Sequence, residues 1–295
     1  MRHRPRRRPA RPCRKAVIAA MHGIDHLVLV GHDLTEMIAA YRAFGFTITP
    51  RGQHPMGTGN ALVQLHGSYL ELLAVTVPQD VPDHAPGRFS FAAFNRDYLQ
   101  RHPGFSMTVL RTFDAPADSA RWRAAGLATY EPFQFSRMAR WPDGSERRIG
   151  FSLAFVSNPA APWLGLFACH HQAPEYFAQI PYQQHANGAL ALRDVWITGE
   201  QALDLVDYIR KVTGSDQVSE RRDSVAIRTG DQSIILARPT AFEASFGIVP
   251  PHPEDGPALA GFTLVAAGNE RRIIRSEDAF GVAIAFTPAS EVMDD

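Results

Sequence analysis

Short apolar runs bounded by glycine, proline and polar turns recur along the chain, and this pattern predicts strands. Residues 23–30, 60–65 and 68–75 are three such runs near the start. Between the first two, residues 36–44 place their apolar side chains at helical spacing, and residues 46–50 are predicted as a further strand. The predicted order of elements is therefore βαβββ.

A similar order follows three more times with declining clarity. The second unit runs over residues 105–169 and the third over 188–236, whereas the fourth, 261–286, is short and incomplete. One unit alone would leave a sheet face bare, so the units should pair. We predict an α+β fold of tandem βαβββ units whose paired mixed sheets curve into a cup. One clear pair occupies residues 21–180, and a degenerate second pair occupies residues 186–290.

Two long connections and one hairpin complete this organisation. The Pro- and His-rich segment 78–103 and the linker 172–187 are long enough to be functional loops. A charge-rich hairpin around Pro142-Asp143-Gly144 carries Arg137 and Arg148. Such a hairpin is typical of a solvated edge that blocks aggregation, and capture of an anionic substrate is the alternative.

The composition is that of a globular protein and narrows the function classes. Hydrophobic residues are 45% of the 295 and the formal net charge is zero, which argues against a nucleic-acid surface on the folded body. No apolar run reaches the ~18 residues of a membrane span. Two cysteines without a CxxC pair fit a reducing compartment, so we expect a cytoplasmic protein. Residues 1–20 are a basic extension that we expect to be disordered, with a nucleic-acid or targeting arm as the alternative.

Two polar residues, His26 and Glu71, interrupt runs that otherwise read as buried strands. A polar side chain on a buried face costs free energy unless it has a partner. Imidazole and carboxylate are both metal ligands, so one shared metal ion would satisfy the two residues. A hydrogen-bonded pair without metal is the alternative.

Four motifs within the paired units carry a family resemblance: Asp25-His26-Leu27-Val28, Gly45-Phe46, His54 with Gly57-Thr58 and Asn60, and Tyr69-Leu70-Glu71-Leu72-Leu73. Together they resemble the vicinal oxygen chelate superfamily (glyoxalase/bleomycin resistance/extradiol dioxygenase type), and within it the glyoxalase-like domain proteins. The resemblance implies a cup that holds a divalent metal (Zn, Fe, Mn, Ni or Co) and a small-molecule substrate with vicinal oxygens. Members act as isomerases, epimerases, dioxygenases or thiol transferases, and some only sequester drugs, so the fold does not fix the reaction.

The resemblance makes His26 and Glu71 metal ligands, but the second unit departs from the pattern. Its corresponding positions fall near Ser106 and Gly165, which are not ligands. Strand alternation from Gly165 points His171 inward, so His171 is the predicted third ligand. Two histidines and one carboxylate would form a facial set with open positions.

Three further residues flank the Gly57-Thr58-Gly59 turn, which we expect at the rim of the cup. Arg51 is a candidate clamp for an anionic group, His54 a candidate acid–base catalyst beside Glu71, and Asn60 a candidate for orienting substrate oxygens. The alternative is a loop organised by its own hydrogen bonds.

Three functions follow. The leading hypothesis is a metal-dependent lyase, isomerase or dioxygenase acting on a small molecule. The main alternative is a metal-free protein that binds or sequesters a small molecule in the same cup. The third is a scaffold whose degenerate half forms an interface, and a homodimer is the corresponding oligomer.

Overall fold

The structure is a computed structural model and describes residues 23–140, 144–174 and 178–292. The predicted basic extension at residues 1–20 and the hairpin tip at 141–143 lie outside the described residues. The first half contains β1 Ile24–Val30, α1 Leu34–Ala43, β2 Gly52–Gln53, β3 Thr58–Gln64, β4 Tyr69–Val75, α2 Phe91–Leu99, β5 Gly104–Arg111, α3 Ala115–Ala124, β6 Ala128–Thr129, β7 Phe133–Arg140, β8 Glu146–Ser157 and β9 Gly165–His171. The second half contains β10 Ala189–Thr198, α4 Val206–Thr213, β11 Val218–Arg221, β12 Ser224–Thr229, β13 Gln232–Ala237, α5 Pro239–Phe246, β14 Ala258–Ala266, β15 Arg272–Ile274 and β16 Ala283–Pro288.

Each half builds one mixed sheet from two units joined side by side. The first sheet has the order β2-β3-β4-β1-β5-β9-β8-β6, with β7 also paired to β8. The second has the order β11-β12-β13-β10-β14-β16-β15. The first strands of paired units, β1 with β5 and β10 with β14, run antiparallel and join the units. The predicted α+β fold of tandem βαβββ units is confirmed, and the fourth unit is incomplete because its described residues contain no helix between β14 and β15.

The two halves share one hydrophobic core. Helices α1, α3 and α4 contribute buried residues to a cluster that also contains outward-facing side chains of both sheets. Within it, the rings of Phe46 and Phe286 stack with centroids 6.0 Å apart. The Trp122 indole of α3 is fully buried and donates a hydrogen bond of 2.8 Å to the Val212 carbonyl in the last turn of α4. The second half therefore covers the face of the first sheet that lies opposite its cup.

Two sequence predictions about local structure were wrong. Residues 46–50 form no strand, because Phe46 and Ile48 bury their side chains from an irregular segment. The segment 78–103 is not a simple loop, since it contains α2. Ser90 begins that helix, and its hydroxyl accepts a hydrogen bond of 3.1 Å from the Ala93 amide.

The inner faces of the two sheets are filled to different extents. In the second half, Phe242 and Phe246 of α5 are buried and pack on Trp196, whose ring lies 5.5 Å from that of Phe246. In the first half, Phe91 and Phe94 of α2 cover one part of the sheet. They leave a cavity beside β1 and β4. Among the described residues, no helix is long and apolar enough to cross a membrane.

Candidate functional site

A cavity of about 40 Å³ lies on the inner face of the first sheet, and we call it the Glu71 cavity. This volume holds a few water molecules. Its polar lining is His26, His54, Asn60, Tyr69, Glu71 and Arg137, and its apolar lining is Met56, Leu62, Phe91, Phe135, Phe151, Leu153, Phe167 and Cys169. Polar groups thus converge in a wall that is otherwise aromatic and aliphatic, which is the usual character of a small-molecule site.

Glu71 is the centre of this polar group. It pairs with Val28 of β1 and Leu62 of β3, and only 5% of the residue is exposed. Its Oε2 lies 3.7 Å from His26 Nε2, and its Oε1 lies 3.7 Å from His54 Nε2. The Asn60 amide nitrogen donates a hydrogen bond of 2.6 Å to the same Oε1. The structure therefore brings three residues singled out in the sequence together around the carboxylate of a fourth.

His26 is oriented from behind by Asp25. Its Nδ1 lies 2.8 Å from Asp25 Oδ2, and its ring stacks on Tyr69 with centroids 4.3 Å apart. Consecutive strand residues normally face opposite sides, but the β1–β5 register shifts between Ile24 and His26 and lets these neighbours meet.

Asp25 fixes the proton position on His26. Burial alone would raise the pKa of Asp25, but contacts with His171 and His26 hold that pKa well below its usual range. An ionised carboxylate only accepts hydrogen bonds, so the His26 proton sits on Nδ1. In the neutral imidazole, Nε2 then presents a lone pair toward Glu71 and the cavity.

His54 is held in a similar way by the tight turn between β2 and β3. Its Nδ1 lies 2.9 Å from Thr58 Oγ1, and its backbone amide donates to the Thr58 carbonyl at 2.8 Å. Gly57 has a φ of +84°, and a Cβ there would lie 2.5 Å from the Val77 carbonyl oxygen, so glycine is required. Burial, partly offset by Glu71, lowers the pKa of His54 to about 4. The imidazole is therefore neutral near pH 7 and can accept a proton or a metal through Nε2.

Two residues singled out in the sequence lie outside the Glu71 cavity. His171 Nε2 contacts Asp25 Oδ2 at 2.9 Å and lines a neighbouring cavity of about 290 Å³. The Tyr69 side chain borders both cavities and lies between them. Arg51 is exposed and donates a hydrogen bond of 2.8 Å to Thr35 Oγ1 at the start of α1. Neither His171 nor Arg51 therefore lines the space beside Glu71.

Sequence reasoning missed the roles of Asp25 and Arg137. Strict alternation along a strand places the Asp25 side chain on the opposite face from His26, so the sequence indicates no contact between them. Arg137 was read as part of a solvated edge, yet it follows Phe133 and Phe135 at alternate positions of β7, and Phe135 lines the same cavity. This alternation in the sequence is a signal that could have placed Arg137 inward.

His26 belongs to two candidate donor sets. In one, single ligand atoms of Asp25, His26 and His171 all lie within 4.8 Å of one another. Those atoms are already joined by hydrogen bonds, and Arg111 Nε lies 3.4 Å from Asp25 Oδ1, where its positive charge opposes a cation as that of Arg137 does in the Glu71 cavity. In the other, His26 Nε2, His54 Nε2 and Glu71 face an open cavity. By donor chemistry, two imidazoles and a carboxylate fit the divalent transition metal implied by the resemblance, whereas convergence of all ligand atoms within 4.8 Å is found in the first set.

The second unit contributes no imidazole or carboxylate to the Glu71 cavity, and burial raises the pKa of its Cys169 thiol there. Glu71 is the third residue of β4, and the third residue of β9 is Phe167, which lines the cavity from the opposite side. Gly165 packs against Met107, because a Cβ at Gly165 would lie 2.4 Å from Met107 Cγ. Phe167 rather than Gly165 is thus the inward residue corresponding to Glu71.

Comparisons with known proteins agree with this architecture. The family model of the glyoxalase-like domain matches residues 24–212. No curated protein sequence matches the chain. A hypothetical protein from Staphylococcus aureus superposes with a TM-score of 0.67 at 16% sequence identity, covering 90% of this chain and 98% of that one.

Two further solved structures have lower similarity. A xylose isomerase-like TIM barrel/4-hydroxyphenylpyruvate dioxygenase fusion protein gives a TM-score of 0.51 at 14% identity, and the match covers 83% of this chain and 36% of that one. A methylmalonyl-CoA epimerase in complex with methylmalonyl-CoA gives a TM-score of 0.37 at 21% identity, covering 52% and 96%. At these identities the likeness concerns the fold.

Proposed function

Since the chain belongs to the glyoxalase-like family of the vicinal oxygen chelate superfamily, we propose that it is a metal-dependent enzyme. It would act as a lyase, isomerase or dioxygenase on a small molecule with vicinal oxygens. The observation that carries this proposal is the convergence of His26, His54 and Glu71 on one buried cavity. Without a metal, the lone pair of His26 Nε2 faces the Glu71 carboxylate at 3.7 Å, which is unfavourable in a buried site, whereas His54 Nε2 lies 3.3 Å from the amide nitrogen of Asn60.

The proposed ligands of a divalent metal are His26 Nε2, His54 Nε2 and the Glu71 carboxylate. When bound, the metal would act as a Lewis acid that polarises adjacent substrate oxygens. This set keeps His26 and Glu71 from the sequence prediction and replaces His171 by His54. The replacement follows from the cavities, because His171 faces the other side of Tyr69.

The surrounding residues position these donors. Asp25 keeps the His26 proton on Nδ1, Thr58 holds His54 at Nδ1, and Asn60 fixes Glu71 through a hydrogen bond of 2.6 Å. The rings of Phe91 and Phe135 lie edge-on to His54 at 6.2 and 5.7 Å and keep bulk water from it. A substrate oxygen in this cavity would therefore meet donors that are already oriented.

Metal analysis of three variants tests the ligand set. The chain is stripped with chelator, reloaded separately with Zn, Mn, Fe, Ni or Co, and its metal content is measured. We expect His54→Gln and Glu71→Gln to lose the bound metal and His171→Gln to keep it. Loss in His171→Gln with retention in His54→Gln would place the metal beside Asp25 instead. Less than about a tenth of an equivalent in the unmodified chain would refute a metal enzyme.

The second candidate function is metal-free binding or sequestration of a small molecule. This function is favoured by the apolar side chains with which the second unit lines the Glu71 cavity, among them Phe151 and Phe167. The same metal analysis separates the two functions. The division at about residue 180 and the homodimer stay predictions, the latter to be checked by light scattering.

A further inference from the structure

Arg137 is a cation that lines the Glu71 cavity, and its guanidinium contacts no carboxylate among the described residues. No other arginine or lysine is among the residues that line this cavity. Its Nε is buried and has no hydrogen-bond partner, and within the described parts of the chain no carboxylate forms an ion pair with its guanidinium. Buried charges in proteins are normally paired, so this partly buried guanidinium favours a contacting anion, which the described residues do not supply.

The local backbone is shaped to admit the Arg137 side chain. A Cβ at Gly52 would lie 3.0 Å from Arg137 Nη1 and 2.6 Å from Asn60 Oδ1. Glycine at this position therefore leaves room for both groups. Asn60 in turn donates to Glu71, so the guanidinium lies one side chain away from the proposed metal ligands.

Neutralising Glu71 is the alternative role for Arg137. Burial lowers the pKa of Arg137, and Glu71 acts in the opposite direction, so the two charges interact across the cavity. The Glu71 oxygens, however, are near Asn60, His26 and His54 and not in contact with the guanidinium. The Arg137 Nε, which has no hydrogen-bond partner, is thus available together with a neighbouring Nη group for a bidentate ligand.

We propose that the substrate is a 2-oxo or 2-hydroxy carboxylate, with Arg137 binding its carboxylate and the apolar walls enclosing the rest of the molecule. A planar carboxylate matches one guanidinium fork. The assignment of an oxo or hydroxy oxygen at C2 of the substrate rests on the proposed metal function. The carboxylate contact rests on Arg137 alone.

Binding of pyruvate and its neutral analogue pyruvamide tests the assignment by calorimetry on the full chain, metal-loaded and chelator-treated. We expect pyruvate to bind at least about tenfold more tightly than pyruvamide, and Arg137→Gln to remove about this advantage without changing metal content. Arg137→Lys keeps the charge but loses the fork, so it should restore only part of the pyruvate affinity. Arg148→Gln is the matched control, because Arg148 is exposed and donates to Ser136 Oγ at 2.8 Å.

The outcomes separate this inference from the metal proposal. Pyruvate affinity in Arg137→Gln within about threefold of the unmodified chain would overturn the inference, whatever the metal content. Equal losses in Arg148→Gln would show a general charge effect and would also overturn it. If no metal binds but pyruvate still depends on Arg137, the carboxylate assignment stands and the metal function fails.

Discussion

Asp25 contacts His26 and His171 but does not line the Glu71 cavity, so the Asp25→Asn variant separates the orientation of a ligand from the ligand itself. The variant retains all three proposed metal ligands and nearly the same side-chain volume. Its effect on metal affinity would therefore report how firmly Nε2 of His26 is presented to the cavity, together with the loss of the negative charge of Asp25.

The size of the effect follows from the contacts of the two Asp25 oxygens. Oδ2 lies 2.8 and 2.9 Å from nitrogens of His26 and His171, and Oδ1 lies 3.4 Å from Arg111 Nε. An asparagine must place its NH₂ at one of these positions. If the asparagine NH₂ points toward Arg111, two hydrogen-bond donors face each other. If the NH₂ points toward the histidines, it donates to His26 Nδ1 and favours moving the His26 proton to Nε2, which blocks metal binding. We expect affinity to fall about 10- to 100-fold, or about 1.4–2.8 kcal/mol.

Chelator competition on stripped, reloaded protein measures this affinity, and thermal unfolding of the stripped protein measures the stability change. Asp255→Asn is the matched control, because Asp255 is buried beside His102 at 2.5 Å and also binds Arg101, away from the cavity. It should lose stability without losing metal affinity. Metal affinity of Asp25→Asn within about threefold of the unmodified chain, or an equal loss in the control, would refute the reasoning.

Three other variants address the rest of the structure. The folded pKa of His54, about 4, lies below the unfolded value of 6.5, so the metal-stripped protein should lose up to about 3 kcal/mol of stability as pH falls from 6.5 to 4. His54→Gln should remove this pH dependence in denaturant titrations. Trp122→Ala should cost about 3–5 kcal/mol and, because Trp122 binds α4, should lower the single unfolding transition of both halves together. Phe242→Ala should cost a similar amount, about 3–5 kcal/mol, and leave metal content unchanged, as calorimetry and metal analysis would show.

The sequence predicted the strands well because they are short apolar runs with clear turns, such as His66-Gly67 between β3 and β4. It missed α2 because Ser90 and the following helical face lie inside a segment rich in proline and histidine. It misplaced a strand at residues 46–50, since an irregular segment buries Phe46 and Ile48 in the same alternating way. Local pattern identifies what is buried, and only pairing with other strands decides the backbone conformation.

Some residues around the Glu71 cavity could be predicted from the sequence, and others could not. His26 and Glu71 could be chosen because a lone polar residue in a buried strand needs a partner. His171 was selected by alternation along β9, an argument that does not reveal that the Tyr69 ring borders both cavities. The contact between Asp25 and His26 depends on a register irregularity, which no single-strand pattern contains.

The asymmetry of the first sheet is compatible with the proposed metal site, whose ligands come from one unit only. His26, His54 and Glu71 all come from the first unit, so Phe167 of the second unit can be apolar without removing a donor. In the second half, Phe242 fills the inner face of the sheet. The outer face of that sheet packs in the core shared with the first sheet. On this reasoning chemistry and stability are divided between the halves. Substitutions in the filled second cup should therefore alter unfolding but not ligand binding.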